Sequence, residues 1–363
     1  MAIAHEARAN ELDERGEARL YRAMRRFWHP VAYSSEVSDR PVKAVLLDEQ
    51  LALVRLGGEI RCFADLCAHR GTAISLGWVE NDQIRCAYHG WTYGPDGACT
   101  AIPARFGSSI PRRAHLRPYL VAERYGLVWV CLDGPPVYPV PELPGHDDPA
   151  YRIVEVPAYE WRCSAARRIE NYVDFAHFAW VHDGILGDRE HPEVPEHDVT
   201  REEHWLHFGE EDRYQAHRSP DEAATARSRE RDGLPFASGT VLADKAYRLY
   251  IPFTVLLDQR LPSDNHYLLY FSSSPVGPKT TRCFTLMIRN YDLDPGSDRK
   301  FEEFNELVIG QDRPVVESQR PEELPVDLSD ELHIRGVDRV SLEYRKWLIE
   351  IARDEEMREE SGR

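Results

Sequence analysis

The sequence predicts an α+β protein in two parts, an all-β N-terminal domain followed by an antiparallel sheet with packed helices. Three observations predict it. Short apolar runs separated by turn residues fill positions 42–132, a proline-rich run follows, and strand-like and helical runs mix beyond it.

Residues 1–27 are densely charged and read as a short helix leading into Trp28-His29-Pro30. VKAVLLD, LALVRL and EIRCF follow as strands, the last two joined by Gly57-Gly58, a hairpin signal. WTYGPDGACT reads as a second hairpin turning at Pro95-Asp96-Gly97, and GLVWVCL closes a first domain placed at 28–132. Residues 133–149 hold six prolines, a density that excludes helix and central strand and marks a linker. The second domain is expected over 150–363. There Trp161 to His182 reads as helix, and YRLYIPFTVLL, NHYLLYFSSS and RCFTLMIR read as strands. The polar stretch 216–233 reads as a loop, FEEFNELVIG as the start of another helix, and SLEYRKWLIEIARDEEM as a terminal helix.

The formal net charge of −17 argues against nucleic acid, which needs clustered Lys and Arg. No run of about 18 apolar residues offers a membrane span. The charged N-terminus MAIAHEARANELDERGEARL has no apolar stretch of the signal-peptide kind, so a cytoplasmic protein is expected. Seven scattered cysteines do not form a disulfide framework. Cys62, Cys99, Cys131, Cys163 and Cys283 sit in apolar or strand-like runs and read as small buried hydrophobes. Cys67 and Cys86 do not.

Cys67-Ala-His69 and Cys86-Ala-Tyr-His89 are two loops that each supply one thiolate and one imidazole. Tetrahedral zinc can use two Cys and two His, but such sites usually group the two Cys at one end of the motif and the two His at the other. One of each per loop suits a [2Fe–2S] cluster, with Cys67 and Cys86 on one iron and His69 and His89 on the other. Arg70-Gly71 follows the first loop and Gly90-Trp91 the second, and the glycines let backbone fold close over a cluster. CAHRG…CAYHGWTY resembles the Rieske signature, and the resemblance spans residues 42–131. Such a cluster carries one electron and does no chemistry on a substrate by itself.

The second candidate centre lies at 168–183. His177 and His182 are five apart, about 140° off a common face of an ideal helix, so both reach one ion only if the helix ends or opens between them. Asp174 lies three residues before His177 and Asn171 three before that, along one face. Two histidines and a carboxylate on one side of an iron form the facial triad of Fe(II) oxygenases, with positions left open for O₂ and substrate. The blander alternative is an amphipathic helix with polar-face histidines.

N-x₂-D-x₂-H-x₄-H resembles the mononuclear-iron motif of Rieske oxygenases. The resemblance implies His177 and His182 as Fe(II) ligands, and Asp174 as a bridging carboxylate that passes electrons toward a ligand histidine. It places the third ligand on a late helix, where QDRPVVESQRPEELP resembles the monooxygenase branch. Asp312 is the expected ligand, with Glu317 as alternative and Asp327 and Asp330 behind it.

The same resemblance implies a helix-grip, START-like second domain, a homotrimer with electron transfer across a subunit boundary, and O₂ as co-substrate. Glu170 and Asp174 would lie near that route. No G-x-G-x-x-G opens a helix, so NAD(P)H enters only through a separate reductase or ferredoxin. The chain resembles the pheophorbide, vanillate, dicamba and methylxanthine branch of monooxygenases and demethylases. That implies hydroxylation, or O- or N-demethylation, of a small ring-containing molecule. A ring cis-dihydroxylating α subunit and a Rieske electron carrier without oxygenase activity are the alternatives.

Overall fold

The computed structural model describes residues 16–361 except 106, 108, 188, 191, 195–196, 210–243 and 262–263. The loop expected at 216–233 lies outside the described residues. Two compact units emerge. Met24–Val140 with Ser274–Gly277 forms one, and Pro141–Ser273 with Pro278–Arg363 and the N-terminal segment forms the other. The division falls inside the proline-rich run, and residues 133–149 carry neither helix nor strand.

The first unit is all β apart from short 3₁₀ turns. Its strands are β1 (His29–Tyr33), β2 (Val42–Leu46), β3 (Glu49–Leu56), β4 (Glu59–Ala64), β5 (Trp78–Glu80), β6 (Gln83–Arg85), β7 (Thr92–Tyr93), β8 (Cys99–Ala101), β9 (Pro118–Arg124) and β10 (Leu127–Cys131). Six form a sheet in the order β1-β10-β9-β4-β3-β2, and four form a second in the order β5-β6-β7-β8. Leu56 pairs with Glu59 across Gly57 and Gly58, whose φ values of +59° and +85° fit the two-residue hairpin expected there. Leu47 and Asp48 make a similar left-handed turn between β2 and β3 at φ +51° and +62°, with no glycine to announce it.

The second unit holds β11 (Arg152–Trp161), β12 (Val199–Arg201), β13 (Trp205–Phe208), β14 (Asp244–Tyr250), β15 (Thr254–Arg260), β16 (His266–Gly277) and β17 (Thr280–Arg289). They form one sheet in the order β11-β17-β16-β15-β14-β13-β12, antiparallel as expected. Helices Ala165–Val173, Phe178–Val181, Asp298–Val316 and Arg339–Ser361 accompany it. Residues 16–23 are also helical, and Arg19 and Arg22 pair with Glu356 and Glu359 of the terminal helix.

Two elements differ from expectation. YRLYIPFTVLL is a hairpin rather than one strand, because Pro252 lacks an N–H for the ladder and the chain turns back to pair Tyr250 with Thr254. Trp161 closes a strand instead of opening a helix. The helix starts at Ala165, where Ser164 Oγ accepts from the Arg167 N–H, and it stops at Val173.

A buried ion network fixes the helix Ala165–Val173. Arg345 donates to both carboxylate oxygens of Glu170, at 2.5 and 2.8 Å, and Arg167 donates to Glu331 at 2.6 Å. Arg345 also bonds Glu331. Glu170, expected near a subunit boundary, is thus committed inside the chain. Burial opposes the charge on Glu331, but Arg167 and Arg345 outweigh it and hold its carboxyl at about 2. A carboxyl depressed on folding adds stability above its unfolded pKa, near 4.5, and loses that contribution as pH falls toward 2. Glu331→Gln is therefore expected to lower stability at pH 7 by on the order of 2 kcal/mol, less than for a fully buried pair because Glu331 is partly exposed. Thermal melts at stepped pH check this: the gap to wild type should shrink steadily below pH 4.5.

Candidate active site

The all-β unit builds its site from two matching loops. In the first, Cys67 N–H donates to Thr72 C=O and Gly71 N–H to Cys67 C=O. In the second, Cys86 N–H donates to Trp91 C=O and Gly90 N–H to Cys86 C=O. Each loop thus closes on its cysteine, with glycine four residues on at φ +68° and +70°, a region costly for other residues. Histidine stands two residues after the cysteine in the first loop and three in the second. Cys67 and Cys86 are buried in the core of the unit, and Tyr93 OH lies 3.1 Å from Cys67 Sγ. Burial raises the Cys86 thiol. His69 and His89 are exposed, and His69 stacks on Trp91 with ring centroids 4.6 Å apart.

The donor atoms test which metal group fits. His69 Nδ1 and His89 Nδ1 are 3.2 Å apart, near the roughly 3.3 Å expected for two nitrogens on one tetrahedral ion. A single zinc would also hold both sulfurs within about 4 Å of those nitrogens. Among the described residues, the four do not form a group with all donor atoms within 4.8 Å. The imidazole pair and the thiols thus fit two different ions, as in a two-iron cluster with histidine and cysteine ends.

In the second unit one group of that kind exists among the described residues: His177, His182 and Asp312, with ligand atoms all within 4.8 Å. The helix Ala165–Val173 ends because Asp174 adopts extended backbone, φ −86° and ψ 126°. Asp174 Oδ1 accepts from Ala176 N–H at 2.7 Å, and the chain restarts as one short helix, Phe178–Val181. His177 caps its start and His182 its end, where φ −113° and ψ 33° leave the helical region. The break therefore precedes both histidines, with a single turn between them, rather than lying between them as a π-type opening.

Gly187 holds this turn in place. A Cβ there would lie 2.4 Å from the Phe178 carbonyl carbon and 2.5 Å from the Ala179 nitrogen, so only glycine lets the following loop pack against it. Nothing in the local sequence signals that approach.

Asp312 sits on the helix Asp298–Val316, 5% exposed. Its Oδ1 lies 3.4 Å from His177 Nε2 and 3.0 Å from His182 Nε2. His182 Nδ1 is 2.8 Å from Gln311 Oε1, which accepts its proton and leaves Nε2 as the lone-pair nitrogen toward Asp312. Gln311, adjacent to Asp312 in the chain, is a positioning residue that sequence reasoning missed. His177 Nδ1 faces Asp174 Oδ2 at 3.6 Å, beyond a direct hydrogen bond. Glu317 lies elsewhere, accepting from Arg162 N–H at 3.0 Å and Arg313 Nε at 3.1 Å. Asp327 caps a 3₁₀ turn by accepting from Ser329, and neither it nor Asp330 joins the group.

The electrostatics favour a cation. Burial would lower the His177 imidazole, but Asp174 and Asp312 outweigh it and lift it to about 9. Burial would raise the Asp312 carboxyl, but His177, His182 and Arg168 hold it well below the usual range. Asp312 Oδ1 is also a buried atom without a hydrogen-bond partner, as a carboxylate oxygen awaiting a metal would be. Arg168 lies beneath the site, fully buried, over the rings of Trp161 at 4.3 Å and Phe271 at 4.7 Å. It donates to Asn171 Oδ1 at 2.6 Å, so Asn171 is anchored to Arg168 and lines the cavity beside the triad.

That cavity takes in about 780 Å³ of space, part of it open to solvent. Its walls are mostly apolar and aromatic, including Tyr172, Phe178, Tyr247, Leu257, Leu269 and Phe271.

Residues 27–111 match the Rieske [2Fe-2S] domain family, and residues 161–354 match the vanillate O-demethylase oxygenase C-terminal domain family. Over 336 residues the chain is 35% identical to methylxanthine N1-demethylase NdmA of Pseudomonas putida, covering 90% of this chain and 89% of that one. The chain is a Rieske-type oxygenase component.

Solved structures agree with this assignment. NdmA of Pseudomonas putida CBB5 with caffeine superposes with a TM-score of 0.79 at 34% identity, covering 92% of this chain and 93% of that one. Dicamba monooxygenase bound to dicamba gives a TM-score of 0.76 at 19% identity, covering 92% and 99%, and shares the fold. As a Rieske oxygenase component the chain carries an iron–sulfur cluster in its first unit. Among the described residues no helix is long and apolar enough to cross a membrane.

Gly187→Ala is expected to displace the His177–His182 turn while leaving the all-β unit intact. Metal analysis beside the visible cluster spectrum checks it: any metal bound outside the cluster should fall while the spectrum stays unchanged.

Proposed function

We propose that this oxygenase component hydroxylates, or demethylates through a hydroxylated methyl, a small ring-containing substrate at a mononuclear iron held by His177, His182 and Asp312. The convergence of these three side chains at the edge of an aromatic-walled cavity carries the reading. Iron bound there would supply O₂ activation, using electrons delivered through the [2Fe–2S] cluster.

The protein's own groups divide the remaining work. Cys67, His69, Cys86 and His89 hold the cluster, with the two thiols inside the domain and the two imidazoles at its surface. Gln311 fixes the tautomer of His182, and Asp174 faces the outer nitrogen of His177 at 3.6 Å and carries the electron route. The aromatic walls exclude water and orient a planar ring toward the triad. Electrons enter from a separate reductase or ferredoxin. The chain works as a homotrimer in which the exposed cluster edge of one subunit serves Asp174 of the next. Exposed Leu66, Leu76 and Tyr88 in the first unit and Trp180 in the second support such an interface.

Metal analysis separates this reading from a simple carrier, because three irons per chain are expected here and two for a carrier. His177→Ala and Asp312→Ala should each remove the third iron and abolish oxygenation while keeping the cluster spectrum. Retained iron and turnover in either variant would overturn the ligand assignment. Asp174→Asn should keep three irons but slow single-turnover reoxidation of the cluster by about tenfold or more. An unchanged rate would remove Asp174 from the route.

A further inference from the structure

Arg168 and Asn171 stand one turn apart on the helix Ala165–Val173, so they share a face, and both line the cavity beside the triad. The guanidinium has no room to move. It is 1% exposed, lies over the rings of Trp161 at 4.3 Å and Phe271 at 4.7 Å, and donates from Nη2 to Tyr159 OH at 3.3 Å. Tyr172, stacked on Phe271 at 4.6 Å, lies against it as well, 5.6 Å away at its ring centroid. The other terminal nitrogen, Nη1, donates to Asn171 Oδ1 at 2.6 Å.

That bond decides which way round the amide sits. The two ends of an Asn amide are nearly the same size, but one accepts and the other donates twice. A guanidinium carries five N–H donors and no acceptor, so it can hold only the oxygen. Turned through 180°, the amide would set N–H against N–H and forfeit a charge-assisted hydrogen bond. Such a bond is worth roughly tenfold or more in the balance between the two orientations. The amide nitrogen is the end left over, and among the described residues it makes no hydrogen bond. It belongs to the wall of the cavity that also holds His177, His182 and Asp312.

We propose that Arg168 is a positioning residue that locks the Asn171 amide with its N–H₂ turned into the cavity, as a donor to an acceptor atom of a small ligand held at the triad. The inference rests on the proposed oxygenase reading for the metal and its ligand, but not for the orientation of the amide. A donor that cannot flip is preorganised, whereas a freely turning amide presents its oxygen part of the time and repels an acceptor there. The charge of Arg168 also acts on Asp312. Loss of Arg168 therefore reaches the triad by two routes, and only one of them runs through Asn171.

The probe is nitric oxide, added without air to the iron-loaded holoenzyme with its cluster oxidised. Infrared spectroscopy reads the N–O stretching frequency on samples normalised to bound iron. Donation to the nitrosyl oxygen weakens the N–O bond, so loss of the donor raises the frequency. Asn171→Ala should shift it upward. Arg168→Met should shift it the same way, and Arg168→Met in the Asn171→Ala background should add nothing further, because one residue acts through the other. Arg168→Lys keeps a donor for the amide oxygen and should recover most of the shift. Arg168→Gln, which can hold either end of Asn171, serves as a second neutral variant if Arg168→Met folds poorly, and should also raise the frequency. An unchanged frequency in Asn171→Ala or in the neutral Arg168 variants, or shifts that add in the double variant, overturns the proposal. Failure of the oxygenase reading shows separately, as two irons per chain and no high-spin iron–nitrosyl signal in EPR, and takes the proposal with it.

Discussion

The second unit depends on ending one helix at Asp174. Two imidazoles five residues apart diverge on a continuous helix, so the triad can exist only if the backbone stops being helical nearby. Asp174 provides the stop through its own side chain, which accepts the Ala176 N–H and turns the chain into a single new helical turn. That turn has His177 at one end and His182 at the other, and Gly187 lets the next loop clamp it. The same carboxylate then presents its other oxygen to His177. One side chain thus breaks the helix and stands behind a site histidine.

Such a construction needs a rigid frame, because a four-residue helix has little stability of its own. The preceding helix is anchored through Glu170 and Arg167 to Arg345 and Glu331, a network that packing alone would not orient. Arg168 sits among Trp161, Tyr172 and Phe271 and places a buried positive charge under Asp312. The carboxylate therefore stays ionised in a buried position, where desolvation would otherwise neutralise it.

The all-β unit solves a different problem with repetition. Its two loops carry the same pair of backbone hydrogen bonds and the same glycine position, so the thiols point inward and the imidazoles outward by geometry rather than by individual packing. The result is a one-electron centre with a buried end and an accessible end. Electron transfer asks for that asymmetry, since the potential is tuned from the inside and the partner docks on the outside.

The residues alone determined much of this. Two Cys/His loops with glycines beyond them named the cluster centre, because the donor types and their order in the chain already restrict the chemistry. The spacing of His177 and His182 said that a helix must break, and the resemblance to Rieske oxygenases pointed to Asp312 on a distant segment that the structure brings to both. What sequence could not reach depends on approach through space. The exact place of the break follows from a side-chain hydrogen bond to a backbone N–H. The need for Gly187 follows from a backbone packed 2.4 Å from where its Cβ would be. Gln311 acquires its role only because its helix lies against His182, 129 positions away in the chain. Arg168 reads as an ordinary helix charge until tertiary packing buries it under a carboxylate. Local chemistry is written in residue types and spacings, whereas orientation, burial and charge compensation arise only when distant segments close on one another.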